Sequence, residues 1–380
     1  MKNKDNILND KIRELEEIIK KNPQDNLSKF ELAKIFFSIN KVNKSKKITE
    51  ELLVLEPENH YFLKFGAMLN EFSREYNEAI LKHKLIIKIK PNEIDSYINI
   101  AKMFNFLKNY DEIINYSKQG LKIEGKNIII FNNLIAGLLY KKNFEEAFEY
   151  IKKLEKYKNS YHIIASMGSY IKEQLQEDYQ FKFINNPMEY LAEYNLSNHN
   201  KIIDNLINFI EKIPNKVWEP KNKSTRKGYQ TKTDLFSKYK NEEIIQTIAQ
   251  IIKLSLKKYL IKYKDSNDHF ITKFPTSVSL KGWSVALEKS GYQTSHNHPN
   301  GWISGVFYLK IPTKLIKNEG KIEFSLHGYD MPVINREISR KLIEPEEGKI
   351  ILFPSTLYHK TIPFNNDDKR ISLAFDVVPN

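Results

Sequence analysis

His296-Asn297-His298-Pro299, Ser304-Gly305-Val306-Phe307-Tyr308-Leu309, Gly348-Lys349-Ile350-Ile351-Leu352-Phe353-Pro354-Ser355-Thr356-Leu357-Tyr358-His359 and Arg370-Ile371-Ser372 are the stretches on which the reading of this chain turns. Two histidines one residue apart project to the same side of an extended segment. A third, about sixty positions later, returns to them only if the sheet closes on itself. His296, His298 and His359 are therefore expected to meet inside a barrel, where a metal ion would be held.

The flanking sequence supports strands. Short apolar runs at Ser277–Leu280, Trp283–Leu287, Ile303–Ile311, Gly320–Leu326, Gly348–Phe353 and Arg370–Val378 are separated by turn residues. Only three of the 14 prolines (Pro23, Pro57 and Pro91) precede residue 180, and all three tryptophans (Trp218, Trp283 and Trp302) lie beyond residue 210. Two helices are expected ahead of the strands. One covers Asn200–Lys212 and ends at Ile213-Pro214; the other covers Glu242–Ile261, where Ile244, Ile248, Ile251 and Ile252 recur at helical spacing. Helices followed by an antiparallel β array describe a jelly roll with supporting helices.

The motif order and spacing over about residues 205–380 resemble the double-stranded β-helix of the Fe(II)/2-oxoglutarate-dependent oxygenase superfamily. The likeness is strongest to a bacterial branch with the pattern H-x-H-P, S-G-V-[FY]-Y-L, F-P-S, H and R-[IV]-S. The resemblance implies Fe(II), 2-oxoglutarate as co-substrate and O2, with His296 and His359 as metal ligands. It implies that Arg370 pairs with the distal carboxylate of 2-oxoglutarate, for which a planar guanidinium is suited. Ser372, on the same strand face, adds a hydroxyl donor. Tyr308 and Trp283 are candidate pocket walls, Tyr308 on the co-substrate side. No catalytic side chain is expected beyond these metal and co-substrate residues.

The position two after the first histidine is usually Asp or Glu in that superfamily, and here it is His298. A neutral imidazole can ligate iron, but it removes the ligand's negative charge. Two other readings therefore stand beside the hydroxylase. One is a catalytically silent barrel in a binding protein; the other is a three-histidine, cupin-like dioxygenase that does not use 2-oxoglutarate. Ser224–Thr231 also resembles the bacterial branch, with no chemical role assigned. His269 and His327 are expected to be structural.

The N-terminal part reads differently. Pro23, Pro57 and Pro91 stand 34 residues apart, and the next two steps fall on Gly125 and Asn159. A helix breaker at this interval is what a helix-turn-helix unit needs at the end of its second helix. The period resembles the tetratricopeptide repeat (TPR), with units over 26–59, 60–93, 94–127 and 128–161 and a half-repeat in 5–25. Small residues recur at the eighth position (Ala33, Ala67, Ala101) and the twentieth (Ser45, Ala79, Ala147), where paired helices approach closely. Ile113 and Ile135 depart from this rule. Phe36, Phe65, Tyr76, Tyr110, Phe144 and Tyr150 are expected to pack in the array, and His60, His83 and His162 to be surface or packing histidines. The resemblance implies a concave surface for a peptide or protein partner.

The expected organisation is therefore an α+β multidomain chain: an all-α TPR solenoid over 1–165, a helical connector over 166–204 and the double-stranded β-helix domain over 205–380. Composition narrows the rest. The 380 residues are 41% hydrophobic, enough for two cores, and contain no cysteine, which excludes disulfides and thiolate metal sites. A net charge of +13 comes from dispersed lysines without an arginine cluster, so nucleic acid is not expected as a partner. There is no apolar run of about 18 residues and no apolar signal core, which points to a cytoplasmic protein without membrane contact. Nothing in the sequence specifies oligomeric state or substrate.

Overall fold

The computed structural model describes residues 2–157, 160–196 and 200–380. Asn159, one of the positions in the 34-residue series, lies outside them. The chain divides into two compact units, residues 1–143 and 144–380.

The first unit is helical and TPR-like: α1 (Lys2–Lys21), α2 (Asn26–Ser38), α3 (Val42–Leu55), α4 (His60–Phe72), α5 (Tyr76–Ile89), α6 (Ile94–Phe106), α7 (Tyr110–Ile123) and α8 (Ile128–Tyr140). The period is written in its helix ends. Asp25, Asn59, Glu93 and Asn127 stand 34 residues apart, each immediately before a first helix. Asp25, Asn59 and Asn127 accept hydrogen bonds there from otherwise unsatisfied N–H groups. Ala33, Ala67 and Ala101 are buried, as are Ser45 and Ala79. Where Ile113 takes a small-residue position, Gly137 faces it, and a Cβ there would stand 3.1 Å from Ile113. The bulk added on one helix is removed from the next. Phe36 is buried, while Tyr76 and Tyr110 are half-buried and stack on Phe106 and Tyr140, each at 4.8 Å. His83 is buried beside Ser96, and His60 lies against Glu93.

A second 34-residue series marks the turn inside each hairpin: Asn40, Arg74, Lys108 and Lys142 all have left-handed backbone, with φ of 61°, 62°, 55° and 60°. Each begins a turn in which the following N–H reaches back to a helix carbonyl, as from Lys41 to Phe36 and from Asn109 to Phe104. A left-handed conformation costs an L-residue roughly 1–2 kcal/mol, and glycine's greater freedom when unfolded returns part of that. Lys108→Gly is therefore expected to stabilise the protein by about 0.5–1 kcal/mol, read by denaturant midpoint. Lys102→Gly, within α6, is expected to destabilise it by about 1 kcal/mol.

The second unit begins with α9 (Phe144–Leu154), α10 (Tyr161–Ile163), a π turn (Ile164–Gly168) and α11 (Ser169–Leu175). After these come β1 (Ala192–Asn195), α12 (Asn200–Lys212), β2 (Lys216–Trp218), β3 (Thr225–Thr231), α13 (Leu235–Lys238), α14 (Glu243–Lys262), α15 (His269–Thr272), β4 (Val278–Gln293), β5 (Ile303–Lys310), β6 (Ile322–Ser325), β7 (Arg340–Ile343), β8 (Lys349–Pro354), β9 (Tyr358–Thr361) and β10 (Arg370–Pro379). All strand pairs are antiparallel. The larger sheet has the order β1-β8-β5-β10-β4-β3-β2, and the smaller β7-β6-β9.

This division differs from the expected limits at 165 and 204, for identifiable reasons. Tyr170 on α11 donates a hydrogen bond to the Pro332 carbonyl, and the Gln174 side-chain oxygen accepts from the N–H groups of Ile334 and Asn335. Residues 166–204 are no mere connector either, because β1 pairs with β8 and is fixed by Tyr259 of α14 and by Tyr263 just after it, whose hydroxyls donate to the carbonyls of Tyr190 and Leu191.

Alternation along the central strands makes the larger sheet two-faced. Ile303, Phe307 and Leu309, Ile350 and Leu352, and Leu373, Phe375 and Val377 pack with Leu206 and Ile210 of α12 and Ile248 and Ile252 of α14. Gly305 is needed on this face, since a Cβ there would lie 2.3 Å from the Phe375 ring. The alternate residues, Ser304, Val306 and Tyr308 on β5 and Arg370, Ser372, Ala374 and Asp376 on β10, lie on the opposite face. No helix among the described residues is long and apolar enough to cross a membrane.

Candidate metal centre

The segment His296–His298 leaves β4 and meets β9, where the backbones of His296 and His359 exchange hydrogen bonds of 2.9 and 3.1 Å. That bridge brings together histidines 63 residues apart in sequence. One ring nitrogen from each of His296, His298 and His359 lies within 4.8 Å of the others, and the ring centroids are 4.3–5.2 Å apart.

The hydrogen bonds orient each ring. His296 Nδ1 lies 2.8 Å from the Thr294 carbonyl and His359 Nδ1 lies 3.1 Å from the Leu357 carbonyl. A carbonyl only accepts, so both Nδ1 atoms carry the proton and both Nε2 atoms hold the lone pair. His298 Nδ1 is 2.5 Å from Asp376 Oδ1 and 3.1 Å from Ser304 Oγ. Burial, followed by the closeness of His298, pushes His296 down to about 4. Burial, with His296 and His298 close by, holds His359 well below the ordinary histidine range. Both rings are therefore neutral donors at neutral pH. Three imidazoles crowded together, with Nδ1 atoms occupied by protein oxygens, suit a divalent ion on their Nε2 atoms, and the donor set fits Fe(II).

A narrow recess opens beside the histidines, and Trp283, Phe353, Arg370 and Ser372 are among the residues that line it. Arg370 is 1% exposed. Its guanidinium lies 4.9 Å over the Tyr308 ring, and its Nε has no hydrogen-bond partner among the described residues. Burial lowers its pKa and the neighbouring Tyr308 acts in the opposite direction. Tyr308 is wholly buried, pairs across the sheet with Ser372, and supports Arg370 from beneath without lining the recess. A larger cavity of about 190 Å³, walled by Tyr161, Phe183, Phe270 and Trp302, shares no lining residue with this recess and offers aromatic surface instead of metal donors.

Two contributors were not singled out from sequence. Asp376 is one; its signal is its place on the same strand face as Arg370 and Ser372. Ser224 is the other: its Oγ lies 3.3 Å from His296 Nε2 and accepts from the Gln293 amide, also at 3.3 Å, and its carbonyl accepts from the Thr294 N–H. The Ser224–Thr231 fragment thus borders the histidines. His327 bonds to the Met331 carbonyl and stands outside the cluster, as does His269.

A family model described as "Putative 2OG-Fe(II) oxygenase" matches residues 281–376, a span that contains all three histidines, Tyr308, Arg370 and Ser372. Among solved structures, the chain is similar to the crystal structure of MamA, with 19% identity, 37% of this chain and 83% of that chain covered, and a TM-score of 0.35. It is similar to MamA 41-end from Desulfovibrio magneticus RS-1 at 13% identity, covering 39% and 84%, with a TM-score of 0.36. It is also similar to YrrB, a TPR protein with an unusual peptide-binding site, at 10% identity, covering 43% and 84%, with a TM-score of 0.38. No curated protein matches the chain.

Proposed function

We propose that the C-terminal sheet domain is a double-stranded β-helix acting as an Fe(II)- and 2-oxoglutarate-dependent oxygenase, with Fe(II) held by His296, His298 and His359. The observation that carries this reading is Arg370. Among the described residues no carboxylate stands beside this interior guanidinium, an arrangement that is costly unless an anion arrives to pair with it, and Arg370 lines the same recess as the histidines. When bound, ferrous iron with 2-oxoglutarate and O2 supplies the oxidation: the co-substrate takes one oxygen atom to become succinate and CO2, and the other enters a substrate C–H bond.

The side chains bind and orient. Arg370 neutralises the distal carboxylate, Ser372 donates its hydroxyl to the same group, and Tyr308 holds the guanidinium plane. Trp283 and Phe353 exclude water from the reacting side. The helical unit is proposed to dock a peptide or protein on its concave face. The test is O2 consumption with purified protein and Fe(II): it is expected to require 2-oxoglutarate and to yield succinate in step with O2. The all-histidine donor set favours one other reading, a dioxygenase without a 2-oxo acid. That reading requires O2 uptake that is independent of 2-oxoglutarate and unchanged by Arg370→Met.

A further inference from the structure

We propose that Asp376 is a positioning residue of the metal centre, delivering through His298 the negative charge that a directly bound carboxylate would otherwise bring. The inference rests on the oxygenase reading above and assigns a role to a residue which that reading leaves unused.

Asp376 stands on β10 on the same face as Arg370, Ser372 and Ala374. It is buried, and its Oδ1 accepts from His298 Nδ1 at 2.5 Å and from the Ser304 hydroxyl at 2.6 Å. The Ser304 hydroxyl is itself 2.8 Å from Ser355 Oγ, and the Ser355 carbonyl accepts from the His298 N–H, also at 2.8 Å. Gly301 closes the network from outside, because a Cβ there would lie 2.4 Å from Ser355 Oγ. The carboxylate is thus held on the side of the His298 ring away from Nε2. In this position it fixes the Nδ1–H tautomer, leaves Nε2 free to bind, and raises the basicity of the ring. Two neutral imidazoles and one carboxylate-bonded imidazole carry one negative charge together. Two imidazoles and a carboxylate ligand carry the same total.

Asparagine keeps an oxygen acceptor for Nδ1–H and removes only the charge, so Asp376→Asn separates charge from tautomer. The probe is Co(II), titrated into the full-length protein and followed by its visible d–d absorption. Asp376→Asn is expected to weaken Co(II) binding about 10- to 100-fold while far-ultraviolet circular dichroism stays unchanged. His298→Asp puts a carboxylate against Asp376, and like charges repel. It is therefore expected to bind Co(II) more weakly than wild type and to recover about tenfold when Asp376→Asn is added. A fold-supporting role alone does not predict that recovery. Wild-type affinity in Asp376→Asn, or no recovery in the double variant, overturns the inference and leaves the oxygenase reading intact. Failure of the wild type to bind Co(II) overturns both.

Discussion

His359→Ala is expected to leave a folded protein that no longer retains iron through gel filtration, whereas the wild type retains about one ion per chain. His359 supplies one of three ring nitrogens gathered within 4.8 Å, and removing it leaves two donors on one short segment. A two-histidine remnant binds a divalent ion weakly because the chelate loses a fixed ligand. The fold is expected to survive. The backbone of residue 359 pairs with His296 and with Phe324 of β6 whatever its side chain. The lost packing is against Phe324 and Phe353, with ring centroids at 5.9 and 4.8 Å. Truncating such a ring costs about 2–3 kcal/mol, most of a typical large-to-small substitution. Metal analysis beside a thermal melt separates the two effects, and full metal retention in a folded variant would rule out His359 as a ligand.

Arg370→Met is expected to act in opposite directions on the two quantities it touches. Without co-substrate, the substitution removes a buried charge that has no carboxylate partner among the described residues while keeping a flexible apolar chain over the Tyr308 ring. The ligand-free protein should therefore be stabilised by about 1–3 kcal/mol, several degrees in melting temperature. Binding of 2-oxoglutarate should weaken at least about 100-fold, because a buried, charge-assisted pair is lost. Isothermal titration of the Fe(II) or Mn(II) protein with 2-oxoglutarate reads the second effect and calorimetric melting the first. A variant that is less stable yet binds 2-oxoglutarate normally would make Arg370 a structural arginine.

How much of this was legible in advance depends on where each signal is carried. The 34-residue period was readable because every second helix must stop, and Pro23, Pro57 and Pro91 are the residues that stop it. The matching series of left-handed turns was hidden, since Asn40, Arg74, Lys108 and Lys142 give no glycine to notice. The helices at Asn200–Lys212 and Glu243–Lys262 fall within a residue of where the apolar spacing put them. The strands with long apolar runs, β5, β8 and β10, were equally clear. β1 was not: it is four residues long, and its partner lies about 155 positions away, so its identity depends on a contact that local sequence does not encode.

At the site, spacing led to the expectation that the histidines meet and the family resemblance pointed to Arg370; the bridge between His296 and His359 draws the histidine rings near one another, and Arg370 lines the same recess. Asp376 was passed over because it sits in a run with Phe375, Val377 and Val378 that reads as apolar. Period-two alternation carries the missing information: residues 370, 372, 374 and 376 share a face, and an acid on a buried face needs a partner. His298 is that partner. The substitution that weakened the sequence reading, histidine in place of a carboxylate, is thus accompanied by a carboxylate one hydrogen bond further out.

2-Oxoglutarate and Fe(II) are expected to occupy the recess together. Anaerobic addition of 2-oxoglutarate to the Fe(II) protein tests this by visible absorption. The expected result is a metal-to-ligand charge-transfer band that titrates to one equivalent in the wild type, and that in Arg370→Met appears only at far higher 2-oxoglutarate concentration. A folded, iron-loaded wild-type protein that develops no band would contradict it.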